Sequence, residues 1–270
     1  MNVFLENGKL NKKLCVVLGI TAVMVILVLI GLIKVIAGGE DNVEENKKNP
    51  TELSVTPNPQ EGEELKEYPT LDLNTPTPMP TKAPTGPMIA IDAGHGGEKS
   101  TGSNRGDLYE KDATLAIALF LKEILETRGY QTYMIRETDI AVEDKTRSGL
   151  AKENGAVVYV SLHLNSWEKD SNSVQGAEVW YSDLLDNGSD VLSQYIIDEI
   201  ATSTGAKNRG IKVSNRFTVL KENTLPACLI ECGFITSEEE STKLFNEEYQ
   251  KLMAEGIANG IEKFLPLETE

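Results

Sequence analysis

The chain has 270 residues, with 42 acidic side chains against 26 Lys and Arg, and a formal net charge of −16. The charge divides as +3 over residues 1–39, −6 over 40–87 and −13 over 88–270. So acidic a C-terminal part excludes nucleic acid as the expected partner, because phosphate contacts need clusters of Lys and Arg.

In chain order, residues 1–13 read as a short cytoplasmic N-terminus and 14–33 as a transmembrane signal anchor. Leu14 to Ile33 is a run of twenty uncharged residues, and at about 1.5 Å per residue a helix of that length crosses roughly 30 Å of hydrocarbon. Lys9, Lys12 and Lys13 precede it, whereas Glu40, Asp41, Glu44 and Glu45 follow. The positive-inside bias therefore places everything after Gly39 outside the cell, on a single-pass membrane protein. The alternative is a signal peptide: cleavage of residues 1–37, after Val35-Ile36-Ala37, would secrete the remainder.

Residues 34–87 read as a disordered linker. The stretch from 40 to 87 holds nine of the eleven prolines with many Thr, Asn and Glu, so it lacks the apolar groups that would pay for ordering it. As a coil its 48 residues average roughly 35 to 40 Å end to end.

Residues 88–270 alternate short Val/Ile/Tyr-rich runs with amphipathic segments, the pattern of a single α/β domain with a mostly parallel or mixed central sheet and helices on both faces. Strands are expected at 88–93, 131–136, 156–163, 177–181, 217–220 and 227–231. Helices are expected at 111–128, ended by Gly129, at 143–154, at 190–202, and as one or two segments reaching Leu265. Ser237 with Glu240 resembles a capping box. Cys228 and Cys232 are expected about 13 Å apart in one strand, beyond disulfide reach, and so act as packing residues.

The chain contains only two histidines, and both sit where an apolar strand ends. His95 closes Met-Ile-Ala-Ile-Asp-Ala-Gly-His, and His163 closes Ala-Val-Val-Tyr-Val-Ser-Leu-His. In open α/β sheets ligands gather beyond the carboxyl ends of strands, so residues 68 positions apart can converge there. Glu231 holds a similar place in Ala-Cys-Leu-Ile-Glu-Cys-Gly-Phe, and Glu110 opens a helical segment. Two imidazoles and a carboxylate can hold zinc with a fourth position open. Taken singly, each histidine is equally a locally satisfied side chain and Glu110 a favourable acid in a first helical turn. Glu231 is different, since an ionised carboxylate in so apolar a run is costly unless it is paired or faces a cleft.

Four motifs, Ile-Asp-Ala-Gly-His-Gly-Gly, Tyr-Glu-Lys-Asp, Val-Ser-Leu-His-Leu-Asn-Ser and Ile-Glu-Cys-Gly-Phe-Ile, together resemble the zinc-dependent N-acetylmuramoyl-L-alanine amidases of bacterial cell walls, the amidase_3 type. The resemblance implies one Zn2+ held by His95, Glu110 and His163, with Glu231 as the catalytic carboxylate. It also implies peptidoglycan as substrate, cut at the amide between N-acetylmuramic acid and L-alanine. Asn165 and Ser166 follow His163 as they do in the family. Arg147 matches a frequent family arginine, and a helix-surface ion pair is expected for it. Trp167 is either a sugar-stacking ring or a plain exposed side chain.

Two features depart from the family pattern: Ile235-Thr236-Ser237 stands in place of the usual Ser-Asn, and the loop from Trp167 to Gln175 is short. Neither an occluding regulatory helix nor a wall-binding repeat is visible. The competing readings keep the metal but move the bond, giving a cell-wall zinc peptidase or deacetylase, or lose turnover altogether, leaving a non-catalytic wall-binding protein.

Overall fold

A computed structural model describes residues 5–6, 9–10, 83–167 and 173–268. Contacts divide the chain into Met1–Glu63 and Glu64–Glu270. In the first unit β1 (Leu5–Glu6) pairs antiparallel with β2 (Lys9–Leu10). The expected anchor at 14–33 and most of the expected linker lie outside the described residues. Among the described residues no helix is long and apolar enough to cross a membrane.

The second unit holds a six-stranded sheet. Its strands are β3 (Met88–Ala93), β6 (Gln131–Met134), β7 (Val158–Asn165), β8 (Ala177–Tyr181), β9 (Asn208–Val213) and β10 (Ala227–Phe234). A short hairpin of β4 (Asn104–Arg105) and β5 (Leu108–Tyr109) precedes the first helix. The spatial order is β6-β3-β7-β10-β8-β9, with the first four strands parallel, β8 antiparallel to β10, and β9 parallel to β8. The helices are α1 (Glu110–Thr127), α2 (Asp144–Glu153), α3 (Ser189–Thr204), α4 (Thr218–Lys221), α5 (Glu238–Leu244) and α6 (Glu247–Phe264).

Period-two alternation sorts each strand between two cores. Ile89, Ile91, Val158, Val160, Leu162, Val179, Cys228 and Ile230 face α1, α3 and α6, as Ile117, Leu121, Ile196, Met253 and Ile257 do from the helix side. Ala90, Tyr159, Ala227 and Leu229 point the opposite way, into a smaller cluster with Ala151 of α2 and Val219 and Leu220 of α4. Helices thus cover both faces, unequally. On the larger face α3 and α6 approach closely, since a Cβ on Gly260 would lie 2.5 Å from the Ile196 Cα. Cys228 and Cys232 are buried free thiols there, as expected.

Local signals set several boundaries. Gly129, at φ 98°, follows α1; its N–H bonds the Glu126 carbonyl while that of Tyr130 bonds Leu125, which is the Schellman closure. Ser237 caps α5 through the Glu240 N–H. The box is only half formed, because the Glu240 carboxylate instead accepts from Gly176 N (2.8 Å) and Phe234 N (2.7 Å).

Two expectations fail. Residues 217–220 form no strand but the turn of helix α4, with Lys221 N bonded to the Phe217 carbonyl at 2.9 Å. A four-residue run with three apolar side chains carries no period that separates the two structures. The strand on this side of β8 is β9, whose Arg-Gly-Ile-Lys pattern breaks alternation.

Candidate metal centre and catalytic carboxylate

His95 sits one residue beyond the glycine that ends the β3 run, in a left-handed backbone at φ 61°. A bulky side chain takes that conformation only where its surroundings enforce it. Two buried arginines do so. Arg136 donates through Nε to the Ala93 carbonyl (2.8 Å) and through Nη2 to those of Gly94 (2.9 Å) and Lys111 (2.8 Å). Arg147 donates through Nη2 to the His95 carbonyl itself (2.9 Å) and to that of Val142 (2.8 Å).

Arg147 is therefore not the surface residue expected. It is 2 % exposed, and its Nη1 lies 2.6 Å from Oδ1 of the fully buried Asp92. The Tyr159 hydroxyl (2.5 Å) and Ser161 Oγ (3.0 Å) donate to the other Asp92 oxygen. Sequence reasoning missed Asp92, Arg136, Tyr159 and Ser161; the available signal was an acid within the otherwise apolar Met-Ile-Ala-Ile-Asp-Ala, which has to find a partner.

Glu110 is the first residue of α1 and 3 % exposed. Its Oε1 lies 3.0 Å from His95 Nε2 and 3.0 Å from His163 Nδ1, and also accepts from Leu164 N at 3.0 Å. Its Oε2 accepts from Ser103 N at 2.8 Å. Burial raises the Glu110 carboxyl, but the hydrogen bonds to His163 and His95 outweigh it and hold the group well below the usual carboxylate range. For His163 burial lowers the imidazole, but the hydrogen bond to Glu110 together with the charges of Glu231, Glu110 and Asp92 outweighs it, so the net shift is upward.

The three side chains offer ligand atoms all within 4.8 Å of one another. Ligands at about 2.0–2.1 Å from a tetrahedral zinc stand about 3.3 Å apart, close to the 3.0 Å between Glu110 Oε1 and each histidine. The backbone is shaped around the group as well: a Cβ on Gly102 would fall 2.5 Å from Glu110 Oε2, and one on Gly94 2.6 Å from His163 Nε2. The donor set and its cradle fit a metal ion.

Glu231 stands beside this group on β10, paired in parallel register with His163 of β7 and in antiparallel register with Glu178 of β8. Its Oε2 is buried and has no hydrogen-bond partner among the described residues. Burial, with the Glu110 and Glu178 carboxylates adding to it, pushes the Glu231 carboxyl up to about 7, against the smaller opposing pull of His163 and Lys212. An acceptor oxygen left bare, on a group that exchanges a proton near neutrality, is suited to general acid–base work.

Asn165 donates through Nδ2 to Oε1 of Glu178, the residue opposite Glu231, at 2.8 Å. Ser166 is exposed, and Trp167 is 53 % exposed with its N–H on Thr236 Oγ1 (3.0 Å). The Thr236 carbonyl accepts from Arg105 Nη1 (3.0 Å), so the departing Ile235-Thr236-Ser237 segment ties the β4–β5 hairpin to the strand end.

Residues 89–263 match the N-acetylmuramoyl-L-alanine amidase family, Amidase_3. The chain belongs to that family. It is 35 % identical over 180 residues to the uncharacterized protein YqiI of Bacillus subtilis, covering 66 % of this chain and 85 % of that one. It is 31 % identical to the germination-specific N-acetylmuramoyl-L-alanine amidase of the same organism, covering 67 % and 80 %. The crystal structure of an N-acetylmuramoyl-L-alanine amidase from Clostridium difficile superposes with a TM-score of 0.63 at 38 % identity, over 68 % of this chain and 99 % of that one. The family match lies within the second unit, which holds His95, Glu110, His163 and Glu231.

Proposed function

We propose that this family member is a zinc-dependent N-acetylmuramoyl-L-alanine amidase that cuts the amide between N-acetylmuramic acid and L-alanine, with His95, Glu110 and His163 as metal ligands and Glu231 as the catalytic carboxylate. Its activity is that of an N-acetylmuramoyl-L-alanine amidase on peptidoglycan. The observation that carries the residue assignment is the bare Oε2 of Glu231 on the strand adjoining the three-donor cluster.

His95, Glu110 and His163 would hold the zinc, which when bound would supply Lewis acidity toward the scissile carbonyl and a lowered pKa for water. The protein's own residues do the rest. Glu231 accepts a proton from the attacking water at Oε2 and returns it to the amide nitrogen as the bond breaks, a role that contributes about 100- to 10,000-fold. Ser103 N and Leu164 N hold the Glu110 carboxylate in its orientation, and Arg136 and Arg147 hold the turn that presents His95.

We further propose that residues 14–33 anchor the protein in the membrane, with the amidase on the wall side of a linker. The twenty uncharged residues and the charge bias around them support this. A polymeric wall substrate is also too large to enter the cell.

The test incubates purified muropeptides with the protein, its Glu231→Gln variant and a chelated sample, read by mass spectrometry. Free stem peptide with a new L-alanine amine is expected from the first alone, with the variant slowed at least about 100-fold. Products of another mass would move the bond to a peptidase or deacetylase, and intact muropeptides with metal-loaded protein would leave a binding module.

A further inference from the structure

The acidic balance of the domain conceals one local exception. Between Glu199 and Glu222 the chain carries Lys207, Arg209, Lys212, Arg216 and Lys221 and not a single carboxylate. Two of these cations, Arg209 and Lys212, are three residues apart on β9, so a regular strand would send them to opposite faces. Here they meet on one acceptor: Arg209 Nε lies 2.9 Å from Glu178 Oε2, and Lys212 Nζ bonds the same oxygen. A bulge makes this possible, since Ala177 pairs with Asn208 but Val179 pairs with Ile211, so β9 runs one residue longer than β8 over this span. Gly210 supplies the turn at φ 80°, a conformation that side chains resist although open space surrounds its Cβ position.

Glu178 is 2 % exposed, and its oxygens also accept from Asn165 Nδ2 (2.8 Å) and Trp180 Nε1 (3.2 Å). Its acceptor capacity is filled by these four donors, so the other protons of the two cations find no acceptor on it. Arg209 uses Nη1 only in a long 3.4 Å contact with the Gln175 carbonyl, and its Nη2 and the remaining Lys212 protons have no partner among the described residues. Both cations are held in place: Arg209 lies 5.0 Å from the centroid of the Phe234 ring, and Lys212 5.1 Å from that of Trp180. They keep partial exposure, at 26 % and 33 % of their side chains. Two preorganised cationic side chains with unused donor protons and partial exposure suit an anionic group.

Its place in the sheet says which one. Glu178 is directly opposite Glu231, and β9 is the next strand out. With strands about 4.8 Å apart, β9 stands about 10 Å from the catalytic strand. An extended peptide advances about 3.3–3.6 Å per residue, so the two or three residues beyond a cut made at Glu231 reach β9. We infer that Arg209 and Lys212, aligned by the buried Glu178, form a subsite for a carboxylate on the peptide being released, within the first residues after the scissile amide. This rests on the amidase reading above.

The test uses two synthetic muramoyl-L-alanyl peptides that differ only in whether the carboxylates on the two residues after alanine are free or amidated. With the full chain, the free-carboxylate substrate should show a kcat/KM about tenfold higher, mostly through KM, and the preference should shrink in high salt. Lys212→Gln should bring the ratio below about twofold, Lys212→Arg should keep most of it, and the exposed Lys221→Gln should leave it intact. Equal cleavage of both substrates by the unaltered protein overturns the subsite while upholding the amidase. A ratio that survives Lys212→Gln, or that Lys221→Gln abolishes equally, overturns it too. If neither substrate is cleaved, amidase and subsite fall together.

Discussion

The two faces of one sheet are built from alternate residues of the same strands, yet they are different materials. Ile91, Val160 and Ile230 point toward α1, α3 and α6 into a cluster of aliphatic side chains. Their neighbours Asp92, Ser161 and Glu231 point to the face covered by α2 and α4, where a small apolar cluster is interrupted by buried polar groups that are matched pair by pair, Glu231 Oε2 excepted. The larger face obtains its energy from area, about 25 cal/mol for each Å² of apolar surface removed from water, and tolerates exchange of shape for shape. The smaller face is specified pair by pair, because a buried charge without its partner is far costlier than a poorly packed methyl. The candidate site sits on the second kind of surface, and the first supplies the stability it needs.

Substitutions on each face sharpen that contrast. The largest effect is expected at Arg147→Met, which strands the fully buried Asp92 and frees the His95 carbonyl. A loss of about 3–5 kcal/mol should appear in chemical denaturation, together with weakened metal retention. A loss under about 1 kcal/mol would show that the pair is not what holds this face.

Next comes Glu231→Gln in chelator, with the opposite sign. Folding raises this carboxyl from 4.5 to about 7, so the folded state binds the proton more tightly and the group's contribution to stability is greatest below pH 4.5 and lost as pH rises through 7. Removing the ionisable group should therefore stabilise the metal-free protein at pH 8, by on the order of 2–3 kcal/mol, and change little at pH 4. Equal melting shifts at both values would contradict the burial of an unpaired carboxylate.

The smallest change is expected at Leu121→Met on the aliphatic face, under about 1.5 kcal/mol with turnover intact. A drop in activity there would mean that the two faces are mechanically coupled.

Much of this molecule was legible in the chain. Strands β3 and β8 and the long helices follow from period and caps, and the two strand-end histidines meet Glu110 as their positions suggested, with Glu231 beside His163 on the adjoining strand. What escaped was non-local. Arg147 read as a helix-surface residue because its partner Asp92 lies 55 positions away, and α4 read as a strand because the short run Phe217-Thr218-Val219-Leu220 holds no distinguishing period. β9 was missed because Gly210 and two cations interrupt its alternation.

Residue chemistry and short-range periodicity, both written along the chain, determined by themselves which side chains could bind metal or carry a proton and which segments would become strands or helices. Only the tertiary structure decided that β8 turns antiparallel beside β10, that a bulge brings Arg209 and Lys212 onto Glu178, and that two arginines clamp the His95 turn. Those arrangements depend on which distant groups become neighbours once water is excluded, and a buried charge selects its partner in space rather than in sequence.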